Sequence, residues 1–203
     1  MTDCGRTVRK PRADAARNRE RVLEAARAVF SAGGPEASLE AVARQAGVGI
    51  GTLYRHFPRR EDLFEAVYRR EVQHLADLAE QLQADTPCLS PFEALRRWIR
   101  ANVEFIATKK GMSAVLAQAA QAPPELMAHS IDRLTRAIGG LMSRAVEAGE
   151  IRSDIGPEDL LRGVVGLCYA HDKPGWQDNV LRLVDVLVDG LRARPVPPRT
   201  SGR

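Results

Sequence analysis

The sequence predicts an all-α fold, on three observations. Apolar residues recur at helical spacing through most of the chain, Pro and Gly separate the periodic segments, and no convincing strand pattern appears anywhere.

In order, residues 1–13 are polar, basic and broken by Pro11, and read as a disordered arm. Asp14 or Asn18 can cap a first helix whose apolar positions are Val22, Leu23, Ala25, Ala26, Val29 and Phe30. Gly33-Gly34-Pro35 stops it. Ser38 is a sensible N-cap for a short helix carrying Leu39, Val42, Ala43 and Ala46. Gly47-Val48-Gly49 makes a tight turn, and a second short helix over 50–57 ends at Pro58. Two short helices about a Gly-containing turn form the helix-turn-helix signature. A long helix follows over 60–84, with Leu63, Phe64, Val67, Val72, Leu75, Leu78 and Leu82 as its stripe. Beyond Pro87 and Pro91 the spacing predicts helices over 92–108, 112–121 and 125–149, the last holding a Gly139-Gly140 step. Pro157 suits the first turn of a helix reaching about residue 171. The final helix carries Val180, Leu183, Val184, Leu187, Val188 and Leu191, and 195–203 read as a disordered tail.

Of 203 residues, 44% are hydrophobic and 28% charged, which excludes wholesale disorder, a collagen-like chain and a disulfide scaffold. The longest uncharged stretch, 111–124, spans 14 residues, contains two Gln and ends in Pro-Pro, so no membrane span is expected. The N-terminus shows no apolar secretory region, and the expected location is the cytoplasm. Three Cys and four His are scattered without ligand spacing, so neither metal nor cofactor is expected.

Charge is uneven. Residues 1–60 hold 12 basic and 6 acidic side chains, a net of +6, while residues 61–203 hold 18 and 20, a net of −2. A basic arm, Arg6–Arg12, before a small helical unit suits a polyanion.

The stretch 48–57 reads V-G-I-G-T-L-Y-R-H-F and continues P-R-R-E-D-L-F. With S-L-E-A-V-A-R-Q-A-G at 38–47 and R-V-L-E-A-A-R-A-V-F at 21–30, it closely resembles the tetracycline-repressor (TetR-type) family of bacterial regulators. The resemblance covers about 18–67, a quarter of the chain; the remainder carries no motif that can be assigned. Gly49 and Gly51 let a recognition helix approach DNA closely, while Thr52, Tyr54 and His56 can reach phosphates as Leu53 and Phe57 pack inward. The resemblance implies backbone contacts at Thr52, Tyr54, His56 and Arg60. It places Glu40, Ile50 and Gly51 near base edges, with Ser38 at the start of the motif's first helix. Gly49 replaces the usual Ser and removes a side-chain cap. Ile50 can only touch a thymine methyl. Glu40 either accepts from cytosine N4 or is a solvated glutamate, and Arg55 is a bidentate guanine reader or a surface or phosphate-contacting arginine.

A lone helix-turn-helix binds weakly, and two-fold pairing of recognition helices predicts a homodimer. The last two helices are the expected interface, through Val164, Val165, Cys168, Val184, Leu187 and Leu191; in the family the corresponding helices pair as a four-helix bundle. The middle helices are the expected sensor. Trp98, Phe105, Met112, Leu116, Met127, Ile138 and Met142 either line a pocket for a small apolar or amphipathic ligand or pack as core. The expected organisation is an arm 1–13, a three-helix DNA-binding domain 14–60, a ligand-sensing and dimerisation domain 61–194, and a tail 195–203. The expected function is a repressor that a small ligand releases from a palindromic double-stranded DNA operator. Its rivals are an architectural nucleic-acid binder without a ligand and a small helical enzyme, though no nucleophile elbow, P-loop or dinucleotide motif is present.

Overall fold

The computed structural model describes residues 11–32, 37–84, 89–115, 124–171, 173 and 175–193. They form eight helices: α1 (Pro11–Ala32), α2 (Leu39–Ala46), α3 (Ile50–His56), α4 (Arg60–Ala84), α5 (Pro91–Val115), α6 (Pro124–Glu147), α7 (Pro157–Tyr169) and α8 (Trp176–Asp189). The only bridge among the described residues pairs Ile151 with Arg192. These residues fall into two compact units. The first takes those within Met1–Arg69 and Ala107–Ala122, the second those within Arg70–Ile106 and Pro123–Arg203.

In the first unit α1 packs on α2 and α3, and α2 on α3. α1 begins at Pro11, ahead of the expected caps at Asp14 or Asn18, because proline suits a helix's first turn. Residues 1–10, most of the expected arm, lie outside the described residues, as does the expected tail. α1 buries Val22, Leu23, Ala25, Ala26 and Phe30 at helical spacing. The eight-residue α2 is too short to persist alone and is fixed at both ends. The extended Ser38 accepts from the Ala41 N–H at 3.0 Å, a cap worth about 1 kcal/mol. Gly47, left-handed at φ 63°, donates its N–H to the Arg44 carbonyl at 3.0 Å and ends the helix.

One expectation fails in α5. The sequence suggests an interruption between 108 and 112, whereas α5 runs unbroken through Gly111 to Val115. Gly111 is a packing device. A Cβ there would stand 1.8 Å from the Phe30 carbonyl oxygen and 2.8 Å from its carbon. The backbones of α5 and α1 meet in a space that admits no side chain.

In the second unit α6 packs on α7 and α7 on α8. Trp98 is fully buried, and its indole N–H donates to the Leu75 carbonyl at 2.8 Å. The Glu150 carboxylate accepts from the Phe92 N–H at 2.7 Å and so caps the start of α5 from a distant turn. Beside the Ile151–Arg192 bridge, the Arg152 N–H donates to the Leu191 carbonyl at 2.8 Å and the Ala193 N–H to the Glu150 carbonyl at 3.0 Å. Arg100 pairs with Asp185 at 2.6 Å and Arg96 with Asp189, tying α5 to α8. The stripe Val180, Val184, Val188 and the facing Val164 and Cys168 are fully buried within one protomer, and Leu191 is also buried. Most of the stripe assigned to a partner is therefore intrachain core. The faces left open lie elsewhere, at Tyr169, Leu183 and Val186, with Leu187 and Val165 half-buried.

The Gly139-Gly140 step has two different explanations. A Cβ at Gly139 would meet Pro157 at an ordinary 3.7 Å, while one at Gly140 would press on the Gln83 side-chain amide at 3.2 Å. Arg144 also donates to the Gln83 carbonyl, so Gly140 and Arg144 together clamp the end of α4 to α6.

Gly111→Ala is expected to destabilise the protein by about 3 kcal/mol through overpacking. Gly139→Ala, with room for a methyl, is expected to stabilise it by about 0.5–1 kcal/mol through helix propensity. Urea midpoints of the two variants should shift in opposite directions.

Candidate nucleic-acid interface

The seven-residue α3 buries one of its own side chains, Leu53, and Phe57 just after it packs inward as well. Arg19 of α1 lies over the Phe57 ring, 5.2 Å from its centroid, and holds the end of α3 by a cation–aromatic contact. On the other face the side chains of Ile50, Tyr54 and Arg55 make no hydrogen bond or ion pair among the described residues. Ile50 is 39% and Tyr54 40% exposed, unusual for side chains of that size, and Gly51 and Arg55 beside them are exposed too. Thr52 and His56 are half-buried at the edge of this face.

The glycines of the turn sharpen the picture. Gly49 is the N-cap at φ −69°, a value any residue adopts, and makes no side-chain cap bond. A Cβ at Gly49 or Gly51 would have nothing within 4 Å. Neither backbone strain nor crowding inside the protomer calls for glycine here. Both glycines are exposed.

Charge separates the neighbouring arginines. Arg59 pairs with Asp62 at 2.6 Å, and its backbone N–H also donates to that carboxylate at 3.1 Å. This bonding raises the Arg59 guanidinium above its ordinary pKa and holds the Asp62 carboxyl below its own. Among the described residues Arg55, Arg60 and Arg44 are exposed and make no ion pair. Glu40 is exposed as well, and the Ser38 hydroxyl caps α2, with its hydrogen left to donate outward. Neither the Arg19 contact nor the Arg59–Asp62 pair is legible in the sequence: the first reaches across 38 positions to Phe57, and the second shows only once the Asp62 carboxylate is placed against Arg59.

Residues 22–67 match the family described as bacterial regulatory proteins, tetR family, and residues 90–193 match the C-terminal domain of SbtR-like transcriptional regulators. A TetR transcriptional regulator from Streptomyces coelicolor has 41% sequence identity, covers 87% of this chain and 99% of that one, and superposes with a TM-score of 0.72. The chain belongs to the TetR family. It is a DNA-binding transcriptional regulator, and members of the family are normally not enzymes. The HTH-type transcriptional repressor KstR of Mycobacterium tuberculosis is 28% identical over 177 residues, 82% of this chain and 80% of that protein. HTH-type transcriptional regulators of Staphylococcus aureus are 37% identical over 75 residues, 36% of this chain and only 40% of theirs. The C-terminal match extends the family beyond the quarter of the chain that carries the DNA-binding motif.

In this TetR-family protein the residues considered for a ligand pocket belong to both units. Trp98, Phe105, Ile138 and Met142 are buried in the second unit and Met112 in the first. Met127 is half-buried, and Leu116 lies outside the described residues. An open groove of about 420 Å³ in the second unit is lined instead by other side chains of α4 and α6. No helix among the described residues is long and apolar enough to cross a membrane, and no group of three or more His, Cys, Asp or Glu is placed to hold a metal ion.

Arg60→Ala should weaken binding to all duplex sequences about equally and lower the salt slope of log K by about one unit. Arg59→Ala should change the slope less, because that guanidinium already has an anionic partner. A salt titration by fluorescence anisotropy compares them.

Proposed function

We propose that the protein is a homodimeric, cytoplasmic repressor that reads a palindromic operator with α3 and is released from it by a small ligand held in the second unit. The observation that carries this is the outer face of α3. Ile50, Gly51, Tyr54 and Arg55 are exposed, and nothing in the protomer uses them. Tyr54, Thr52, His56 and Arg60 serve the phosphates, which set position and affinity. Arg55 reads base edges as a bidentate donor, Ile50 touches a thymine methyl, and Glu40 lies at the margin of the groove.

Dimerisation uses α7 and α8 through their outer faces. Leu183 and Val186 are exposed on α8, Val186 at 70%, and Tyr169 is exposed on α7. Beside them Gly163 and Gly166 are exposed. A Cβ at Gly166 would meet nothing within 4 Å, and one at Gly163 only Leu187 at 4.0 Å. Small residues with no intrachain duty next to exposed aliphatic ones suit the close approach of a second pair of helices. Ligand release is a population shift: the ligand must bind more tightly to a dimer whose recognition helices no longer match the half-sites.

Selection from random duplexes should return a palindrome with half-sites about one helical turn, roughly 34–36 Å, apart. Recovery of no shared sequence would sink the operator reading and favour an architectural binder. Val186→Glu places a charge that pairing would have to desolvate, at a cost of several kcal/mol. Because that side chain is already solvated in the protomer, the variant should keep its helical circular dichroism, sediment as a monomer and lose tight operator binding. A variant that remains dimeric places the interface elsewhere.

A further inference from the structure

The groove between α4 and α6 is lined by three alanines, two arginines, Glu80, Gln83 and His129, and by no Phe, Tyr, Trp or Met side chain. Ala76 and Ala79 on α4 and Ala137 on α6 give it a shallow apolar floor, and residues of leucine size at these places would fill it. Arg133 and Arg136 stand on the same wall, three residues apart on α6. Neither makes an ion pair among the described residues.

Several other arginines of the chain find a carboxylate within a turn. Glu24 holds Arg27 at 3.0 Å, and Glu158 holds Arg162 at 2.6 Å with i,i+4 spacing. Asp132 stands at that same spacing before Arg136, yet the two do not pair, and Arg136 lines the groove instead. The groove's one acid, Glu80, is exposed and without an ion pair among the described residues, so the lining carries net positive charge from two guanidiniums. A concave site of this volume with an apolar floor and two free guanidinium forks is complementary to an anionic head attached to an apolar body.

We propose that this groove binds an anionic amphiphile, its carboxylate or phosphate held by Arg133 and Arg136 and its apolar chain lying on Ala76, Ala79 and Ala137. The proposal rests on the reading of the second unit as the ligand sensor and names the chemistry of what it senses. It also departs from the expectation of a pocket lined by aromatic and Met side chains, since the charged wall sets the ligand class.

The test titrates the full-length protein with octanoate, octyl phosphate and 1-octanol by isothermal titration calorimetry. At least one anion should bind saturably, one per protomer, and at least tenfold more tightly than 1-octanol. Whichever anion binds more tightly assigns the head as carboxylate or phosphate. Arg133→Met with Arg136→Met keeps the stem volume and should lose at least tenfold for the anions while its unliganded thermal midpoint stays unchanged. Ala137→Leu, which fills the floor, should weaken binding independently of charge. The proposal is overturned if neither anion binds, if 1-octanol binds equally well, or if the double variant binds the anions like the parent. It is also overturned if the double variant loses random-duplex affinity in parallel with Arg60→Ala, which would make the groove a nucleic-acid surface. Operator affinity measured with saturating anion keeps the two readings apart. Anion binding that requires both arginines but leaves operator affinity unmoved refutes ligand release and retains the groove assignment. Operator release by 1-octanol without binding of either anion retains ligand release and refutes the groove assignment.

Discussion

The inward packing of Leu53 and Phe57 is the contact on which the seven-residue α3 depends. A seven-residue helix does not form alone in water: nucleating it costs about 4 kcal/mol, corresponding to a nucleation constant near 10⁻³. Full burial of one aliphatic or aromatic side chain returns about 1.5–3 kcal/mol. One such side chain falls short of the nucleation cost, and two together reach it. With α3 held from behind by that pair and by Arg19 over the Phe57 ring, Ile50, Gly51, Tyr54 and Arg55 are left exposed. Ile50, Tyr54 and Arg55 can therefore be substituted while the helix stays in place.

Charge is distributed by the same economy. Over much of the surface, arginines meet a carboxylate within a turn, as in Arg27–Glu24, Arg69–Glu65 and Arg162–Glu158. Such exposed pairs add little stability. Their consequence here is to cancel field locally and leave unpaired guanidiniums standing out. Arg55 and Arg60 lie at the recognition helix and the start of α4, and Arg133 and Arg136 lie along the α4–α6 groove. Arg59, one residue from Arg60, is removed from that set by Asp62.

The DNA-binding unit was legible in the sequence because its signals are local. Ser38 as a cap, the Gly47 turn, the stop at Pro58 and the helical spacing in α1 each act within a few residues, and the helices found there follow them. Other features depend on which distant residue arrives. Gly111 reads as a weak point in a helix until Phe30 is seen against it, 81 positions away. Periodicity shows that Val184 and Val188 share an apolar stripe but not whose side chains cover it, and that stripe closed within the protomer. Trp98 and Met142 are buried, while the groove has alanines for its floor and charged residues in its walls, a composition that no aromatic or Met pattern marks in the sequence.

The bonds made beyond α8 have a consequence for biosynthesis. Leu191 and Ala193 bond to the turn at Glu150 and Arg152, and the Glu150 carboxylate in turn caps α5 at Phe92. The described parts of the first unit all lie before residue 116, so it can assemble while translation continues. The second unit is stitched together by residues that leave the ribosome after all of α5, α6 and α7. Until α8 emerges, the apolar side of α7, including Leu161 and Val164, lacks part of its cover. A stall between α7 and α8 would thus leave a nascent chain with a finished first unit and an open α7 face prone to aggregation.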